Sequence, residues 1–247
     1  MDLNLFRRSP RSRVNAIVLQ TLEITPRMRR LVLGGPELAA WLSSAGIREP
    51  AAWVKVFPPG RDGRAYTIRR VHEAAGTVDI DFVLHGEGKD SGSVSDWARI
   101  AKCGDQVGIA GPRSGGFFLL PDSKWVWLAA DASALPAAQS IMENLPHGIQ
   151  CQALLIVHDD EERQLVRSPA RLDLQWRHWR QRAHTLEEAD LLLTGIGELD
   201  GPGQAWIAGE AEWVKSWRTF WLEHRNRDRQ RLSSKGYWKI GGRDHRD

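Results

Sequence analysis

The segment at residues 64–69 (RAYTIR) brings several chemically versatile side chains together. The guanidinium groups of Arg64 and Arg69 suit phosphate oxygens, and the aromatic ring of Tyr66 suits a flat heterocycle. The hydroxyl group of Thr67 can form a hydrogen bond with a ring nitrogen. Together these groups indicate a strand that binds a flavin dinucleotide, although an exposed strand with solvated arginines accounts for them equally well.

The same segment alternates long polar residues with aromatic or β-branched ones, which favours a β-strand. Strict alternation places Arg64 and Tyr66 on one face, and Thr67 and Arg69 on the other. One ligand can therefore contact all four side chains only if it crosses the edge or the end of the strand.

A loop rich in small residues, at 86–95, is a second candidate for phosphate binding. It precedes a predicted helix through residues 97–101. Backbone N–H groups at such a helix start attract an anion, and small side chains let a pyrophosphate approach closely. A helix capped by Ser93 or Ser95 explains the same residues without a ligand, and the two interpretations are compatible.

The first part of the chain consists of short predicted strands separated by glycine and proline turns. This pattern predicts an antiparallel six-stranded β-barrel that ends near residue 120. One short helix is predicted at 37–42. The predicted strands lie at 14–25, 28–35, 53–57, 64–69, 76–85 and within 103–113.

The second part alternates apolar strands with helices, which predicts an α/β domain with a mostly parallel sheet. We place the boundary between 1–121 and 122–247. Strands are predicted at 124–130, 151–157 and 204–210, with helices at 136–145 and after Glu210, and a short amphipathic segment at 185–193.

Ligands bind such sheets at the carboxyl ends of the strands, here the turns after Ala130 and at Gly209, although no G-x-G-x-x-G fingerprint occurs there. Trp213, Trp217 and Trp221 recur every four residues, which indicates packing against the sheet. An aromatic pair near the terminus, at 237–238, suggests that the end of the chain folds back on the body.

Composition excludes several other classes of protein. The 247 residues are 42% hydrophobic and 26% charged, as in a soluble globular protein, and no segment approaches a membrane span. A net charge of +3 is too weak to indicate nucleic-acid binding. Cys103 and Cys151 lack metal-ligand spacing, so we expect no disulfide and, with no apolar signal segment at the start of the chain, a reducing, cytoplasmic setting. We also expect a monomer.

The order of motifs resembles the siderophore-interacting protein family, flavin-dependent ferric-siderophore reductases of the ferredoxin-reductase-like superfamily. The similarity runs from about residue 12 to 241. Ser93 departs from the family's usual proline, Ala132 from its usual glutamate and Lys235 from a common serine. The matching segments are 64–69 (R-x-Y-T-x-R), 81–86 (D-x-V-x-H-G), 92–98, 131–137, 208–210 (A-G-E) and 236–241 (G-Y-W-x-x-G).

The resemblance implies that FAD lies against the strand at 64–69. Tyr66 and Thr67 are then the catalytic residues, with Tyr66 on the flavin ring or ribityl chain and Thr67 near flavin N5. Arg64 and Arg69 neutralise the pyrophosphate. His85 contacts the flavin or the adenosine, or is instead a core histidine bonded to a carbonyl. The implied cofactor-binding residues are Arg64, Tyr66, Thr67, Ile68, Arg69, Asp81, Val83, His85, Gly92, Ser93, Val94, Ser95, Asp131, Ser133 and Ala134.

The implied reaction reduces a ferric siderophore and releases ferrous iron, with no iron ligand from the protein. Electrons come from NAD(P)H or a reduced ferredoxin, and the departure at Ala132 leaves NADPH, NADH and ferredoxin open. Lys55, Arg113 and Lys239 are the candidates for binding an anionic chelate. The alternatives are a flavin-dependent NAD(P)H oxidoreductase with another acceptor, such as a ferredoxin or quinone, and a non-redox protein that binds an anionic ligand.

Overall fold

The computed structural model describes residues 13–84, 93–179, 199–225 and 228–241. His85, Gly92 and the predicted amphipathic segment at 185–193 lie outside these ranges. No helix in the described part of the chain is long and apolar enough to cross a membrane.

The first six strands form a closed antiparallel barrel in the order β1-β2-β5-β4-β3-β6, which confirms the predicted architecture. Alternate residues of each strand fill its interior, including Val54, Ile80 and Phe82. Two short helices, α1 (Pro36–Trp41) and α2 (Val94–Ile100), pack beside it. The strands are β1 (Val14–Thr25), β2 (Met28–Gly34), β3 (Trp53–Phe57), β4 (Arg64–His72), β5 (Thr77–Val83) and β6 (Gln106–Arg113).

The remaining strands form a five-stranded parallel sheet in the order β11-β10-β7-β8-β9. Its apolar central strands are buried on both faces, as the continuous hydrophobic runs predict. The elements are β7 (Trp125–Asp131), α3 (Leu135–Asn144), β8 (Gln150–Val157), β9 (Arg171–His178), β10 (Gly203–Glu210), α4 (Ala211–Thr219) and β11 (Leu232–Trp238).

Helices cover the sheet on both faces. Helix α3 packs on one face through residues such as Leu135 and Ile141. On the other face, the tryptophans of α4 and the following π-helical turn (Phe220–His224) pack against Trp127 of β7. The ring centroids of Trp127 and Trp217 are 4.8 Å apart, so the tryptophan stripe is packing, as predicted.

The barrel and the α/β half are joined by buried polar contacts. Glu162 accepts hydrogen bonds from the Thr25 hydroxyl at 2.6 Å and from the Arg27 backbone N–H at 2.9 Å. The Trp206 indole donates to the Gly115 carbonyl at 3.1 Å. Buried hydrogen bonds of this kind hold the barrel at a fixed position relative to the α/β half.

Candidate functional site

Strand β4 has the predicted two-residue alternation up to Ile68 and is then interrupted. Tyr66 and Ile68 pack against the barrel core, so Thr67 faces the opposite side. Ile68 pairs with Ile80, but Arg70 already pairs with Asp79, which leaves Arg69 as the additional residue of a β-bulge.

The phenol of Tyr66 is partly buried against the barrel core rather than on the outer face of β4. Its ring centroid is 4.3 Å from that of Phe82. Burial raises the pKa of the Tyr66 hydroxyl; the charge of Arg64 opposes this shift to a smaller extent, and the charge of Asp96 adds to it. A ligand that reaches this ring therefore lies on the opposite side of β4 from Thr67.

The start of α2 forms the candidate phosphate site. Ser93 caps the helix: its hydroxyl accepts from the Asp96 N–H at 3.1 Å, and the Asp96 carboxylate accepts from the Ser93 N–H at 3.3 Å. Ser95 donates to the Val83 carbonyl at 2.7 Å, and Val94 is buried in the barrel core. Ser93 therefore caps the helix, as one of the two interpretations predicted. A capped helix start can still bind a phosphate, so the other interpretation stays a prediction.

Arg61 also contacts the start of α2, and no sequence motif indicated this contact. Its guanidinium group donates to the Ser93 carbonyl at 3.1 Å. The residue lies in the turn between β3 and β4, where a lone arginine is indistinguishable from a solvated one. Only the closure of the barrel brings it to α2, three residues from Arg64.

Two of the cations predicted to bind substrate, Lys55 on β3 and Arg113 on β6, lie on neighbouring strands of the barrel. Lys55 is exposed and pairs across the sheet with Ala65 on β4 and Ala110 on β6. Arg113 pairs with Trp53, and its guanidinium carbon lies 5.0 Å from the centre of the Trp53 ring. A cavity of about 510 Å³ opens there, lined by Ala45, Gly46, Glu49, Trp53, Pro112, Arg113 and Ser114.

The C-terminal strand contributes Lys235 rather than Lys239 to this surface. The Lys235 ammonium lies 4.6 Å from the centre of the Trp53 ring. Lys239 instead forms an ion pair with Glu212 on α4 at 3.0 Å. The structure therefore brings Lys55 and Arg113 onto neighbouring strands, and gives Lys239 a different, local partner.

Strand β11 also brings Tyr237 to the outer face of β4. The Tyr237 hydroxyl is buried beside Thr67, but no hydrogen bond of acceptable geometry forms to it among the described residues. Burial raises the pKa of this hydroxyl. A buried donor without a partner is costly, so this hydroxyl would gain from a partner placed beside Thr67.

Asp131 connects the carboxyl ends of β7, β10 and β11. One carboxylate oxygen accepts from the Ser133 N–H at 2.8 Å, and the other accepts from the Glu210 N–H and the Trp238 indole, both at 2.8 Å. Burial raises the pKa of Asp131, against the influence of these hydrogen bonds. A side chain at Gly209 would come within 2.6 Å of the carboxylate, so glycine is required there.

Asp131 and Ser133, both predicted to contact a cofactor, are therefore bonded within the protein. The Ser133 hydroxyl also donates to Asp131 at 2.5 Å, and the Ala134 N–H lies 3.3 Å from the same oxygen. The acidic group fixes the turn that begins α3. It leaves few free polar atoms for a ligand at this turn.

Three further residues predicted to contact the cofactor instead contact other groups of the protein. Ile68 is a barrel-core residue with 4% exposure. The guanidinium of Arg69 donates to Gln139 at 3.0 Å and to Glu143 at 2.6 Å and 2.8 Å. Asp81 accepts from Arg30 at 2.6 Å. Ile68 points into the barrel, whereas Arg69 and Asp81 lie outside it, where other side chains of the protein pair with them.

Comparison with known proteins gives two adjoining family matches. A family model described as the siderophore-interacting FAD-binding domain matches residues 60–116, and one described as siderophore-interacting protein matches residues 123–241. Among solved structures, a siderophore utilization protein from T. fusca is 30% identical with a TM-score of 0.78, and the match covers 94% of each chain.

Two curated proteins are similar in sequence. The ferric vibriobactin reductase ViuB of Vibrio cholerae is 32% identical over 183 residues, which is 72% of this chain and 65% of ViuB. The mycobactin import ATP-binding/permease protein IrtA of Mycolicibacterium smegmatis is 30% identical over 236 residues, which is 92% of this chain and 26% of IrtA. The chain thus spans less than two thirds of the length of either relative.

A more distant likeness concerns the fold alone. The ferredoxin–NADP+ reductase of Plasmodium falciparum is 12% identical with a TM-score of 0.70, and the match covers 93% of this chain and 98% of that one. This confirms the ferredoxin-reductase-like fold predicted from the sequence.

Proposed function

The chain belongs to the siderophore-interacting protein family, and on this premise we propose that it is an FAD-dependent reductase of ferric siderophores. The observation that carries the proposal is the match of an FAD-binding domain across β4 and α2, where arginines, hydroxyl groups and an aromatic ring of the kinds that suit a flavin nucleotide lie. Reduction would release the metal, because hard oxygen ligands hold ferrous iron far more weakly than ferric iron.

The polar groups around β4 fit FAD. The Tyr237 hydroxyl is a buried donor in need of a partner, and it lies beside the Thr67 hydroxyl. Arg61 donates to the Ser93 carbonyl at the start of α2, and Arg64 lies three residues further along at the start of β4, so both suit a pyrophosphate at this end of the strand. The flavin ring at Thr67 and the phosphates at Ser93 give one continuous path along the edge of the strand.

Bound FAD would supply the conversion of a two-electron donation into the single-electron transfers that iron requires. The protein's own residues would bind and orient FAD and the ferric chelate. Thr67 and Tyr237 hold the polar edge of the ring, Arg61 and Arg64 neutralise the phosphates, and Lys55 with Arg113 attracts an anionic chelate to the exposed side of β3.

We propose NAD(P)H as the electron donor, with reduced ferredoxin as the alternative. The support is the parallel sheet, because nucleotides bind such sheets at the carboxyl ends of their strands, here beside Asp131 and Glu210. Anaerobic stopped-flow reduction with NADH, NADPH and reduced ferredoxin tests this. Rapid reduction by a nicotinamide is expected, and reduction by ferredoxin alone would overturn this part of the proposal.

The assignment of domains and location belongs to the same proposal. Residues 1–121 form the FAD-binding domain and 122–247 the donor-binding domain, since the barrel strands end at Arg113 and the second sheet begins at Trp125. The thiols of Cys103 and Cys151 are both free, which suits a reducing compartment such as the cytoplasm. The protein would act there as a monomer.

The decisive test uses the purified protein. We expect it to bind FAD, to lose its flavin absorbance on anaerobic reduction, and to regain it when a ferric siderophore is added. Ferrous iron should appear in step with that recovery, detected by a ferrous-specific chelator. A protein that ignores added FAD would contradict the enzyme assignment, and flavin that reoxidises only with a quinone or ferredoxin would contradict the substrate.

A further inference from the structure

A cavity between the barrel and the α/β half is lined mainly by arginine side chains. It has a volume of about 440 Å³. Its walls come from β1, β2 and β4 of the barrel, and from α3 and the segment at 163–167 of the other half. The charged residues of this lining are Arg30, Arg69, Arg70, Glu143, Arg163 and Arg167.

The side-chain oxygens of this cavity already accept hydrogen bonds from the protein. The two Glu143 oxygens accept from Arg69 at 2.6 Å and 2.8 Å, and both also accept from Arg70 at 3.1 Å. The Gln139 oxygen accepts from Arg69 at 3.0 Å, and the Gln164 oxygen accepts from the Gln139 amide at 3.1 Å. Donor groups remain in excess, so the cavity suits a ligand that only accepts hydrogen bonds.

Two of the arginines carry positive charge that the protein does not balance locally. Arg70 is 45% exposed and shares the carboxylate of Glu143 with a second arginine. Arg167 is exposed and has no hydrogen-bond or ion-pair partner within the described part of the chain. Arg30 and Arg163, in contrast, pair with aspartates outside the lining. Because Arg70 belongs to the barrel and Arg167 to the α/β half, a ligand that contacts both would bridge the two halves.

The cavity is separate from the turn where we place the electron donor. That turn, at Asp131, precedes the start of α3, whereas Glu143 lies in the last turn of the helix. The distance from Leu135 to Glu143 is about 12 Å along an α-helix. A ligand held at Glu143 and beyond would therefore leave the Asp131 turn unoccupied.

We propose that this cavity binds an oligophosphate, a chain of linked phosphates held between Arg70 and Arg167. Phosphate oxygens only accept hydrogen bonds, and the planar guanidinium fork matches them in pairs. A chain carries several charged groups, so it can contact cations of both halves at once. Leu165, which is 76% exposed, and Ile24 add apolar surface, so an inorganic chain and a nucleotide both fit this description. The inference goes beyond the proposed reductase function and does not depend on it.

Calorimetric titration of the FAD-loaded protein measures this binding apart from electron transfer. The probes are inorganic triphosphate, ATP, orthophosphate and citrate, all without divalent metal. Triphosphate and ATP should bind at least about tenfold more tightly than orthophosphate or citrate, because they make more charge-assisted contacts. Equal affinities for triphosphate and ATP would assign the site to the phosphate chain alone, and a higher affinity for ATP would assign it to a nucleotide. Citrate that binds as tightly as triphosphate would overturn the inference.

Arg167→Met and Arg70→Met remove one cation from each half. Each should weaken triphosphate binding about tenfold, as expected for the loss of one charge-assisted contact. Arg167→Lys keeps the charge without the fork and should lose less. If Arg70→Met does not fold, Arg70→Gln keeps a polar side chain beside Glu143 while removing the charge. The matched control is Arg171→Met, which removes an exposed arginine four positions further on, outside the lining, and should leave the affinity unchanged.

Three results would overturn the site. One is an equal loss in Arg171→Met and Arg167→Met, which would indicate unspecific attraction to surface charge. Another is a loss only in Arg61→Ala, because triphosphate would then bind where we place the FAD phosphates. The third is an affinity that depends on Arg167 but not on Arg70, because the ligand would then not bridge the two halves.

The two proposals can fail separately. A protein that reduces ferric chelates and ignores triphosphate would keep the reductase function and lose this site. Triphosphate binding that depends on Arg70 and Arg167, in a protein that reduces no ferric chelate, would support the site and remove the reductase function.

Discussion

Arg61 is the single residue whose role in the proposed cofactor site is easiest to isolate. Its guanidinium group donates to the Ser93 carbonyl at the start of α2, and it is not part of the hydrophobic core. We expect Arg61→Ala to weaken FAD binding about tenfold, because one charge-assisted contact to the pyrophosphate is lost. Fluorescence titration of the apoprotein with FAD measures this affinity.

Arg171 provides the control for Arg61. It is an exposed arginine at the start of β9, on the edge of the second sheet, so Arg171→Ala removes the same charge far from α2. Its FAD affinity should match that of the wild type. Equal affinities in the two variants would mean that the phosphates do not lie near Ser93.

Tyr237 allows the cofactor contact to be separated from stability. Its hydroxyl is buried without a hydrogen-bond partner among the described residues. Tyr237→Phe should therefore raise the free energy of unfolding of the apoprotein by about 1 kcal/mol, since a desolvated donor is removed. The same change should reduce the increase in Tm that FAD produces, because the ligand loses a donor. A less stable apoprotein would show that the hydroxyl is already bonded within the protein.

At the scale of elements, Glu143 on α3 fastens the helix to β4. It forms an ion pair with the buried Arg69 at 2.6 Å and with Arg70 at 3.1 Å. Glu143→Gln should lower the free energy of unfolding by about 2 kcal/mol, because a buried guanidinium loses its charged partner. The loss is smaller than for a fully buried pair, since the Glu143 side chain is 20% exposed. Urea unfolding measures it.

The pH dependence of stability gives a second readout of this ion pair. Partial burial raises the pKa of Glu143, but the hydrogen bonds and charges of Arg69 and Arg70 outweigh it, and the net pKa is lowered. The resulting stabilisation is complete above the unfolded-state pKa of about 4.3 and is lost as the pH falls through the lower folded-state pKa. Glu143→Gln should lose this acid-side dependence.

An exposed pair serves as the control. Glu73 contacts Arg48 at 2.5 Å, but both side chains are more than half exposed. Glu73→Gln should cost less than about 1 kcal/mol and should change the acid limb of the stability profile little. If the two glutamate variants behave alike, the contact between α3 and β4 does not depend on Glu143.

The sequence predicted most elements because burial leaves a periodic pattern, and it missed those where burial is partial. Strand β9 alternates Leu172, Leu174 and Trp176 with polar residues, yet it is an edge strand with no fully buried position, and its signal is correspondingly weak. The C-terminal aromatic pair was correctly expected to return to the body, as β11 does. Its register, which selects Lys235 over Lys239, depends on pairing with β10 and is absent from the local pattern.

The candidate site, too, could be predicted from the sequence only in part. Residue types alone indicated a cofactor strand at β4, and alternation correctly separated Tyr66 from Thr67. They could not reveal the bulge at Arg69, because a bulge depends on how two strands pair. They also could not reveal that Glu143, 74 residues away, neutralises Arg69.

For the whole molecule, the two halves contribute complementary parts of one surface. The barrel supplies Thr67 and Trp53, and the parallel sheet supplies Tyr237 and Lys235 from β11. The proposed phosphate site therefore lies in the barrel, while the surface proposed for the chelate combines Trp53 of β3 with Lys235 of β11, whose ammonium lies 4.6 Å from the centre of the Trp53 ring. The ion pair of Arg69 with Glu143 and the buried Glu162 contacts to Thr25 keep the halves in this arrangement.

The positive charge on this surface predicts how the reduction of a ferric chelate depends on salt concentration. The overall charge is only +3, but Lys55, Arg113 and Lys235 concentrate positive charge around Trp53. The screening length falls from about 10 Å at 0.1 M salt to about 3 Å at 1 M, so attraction of an anionic chelate should weaken while the bound complex changes little. We expect KM for a ferric tris-catecholate to rise several-fold over this range, with kcat unchanged at saturating FAD. A neutral ferric tris-hydroxamate, measured in parallel, should show little change in KM, because its encounter with the protein gains nothing from the local charge. Equal salt effects on the two chelates would instead trace the dependence to the electron donor or to FAD.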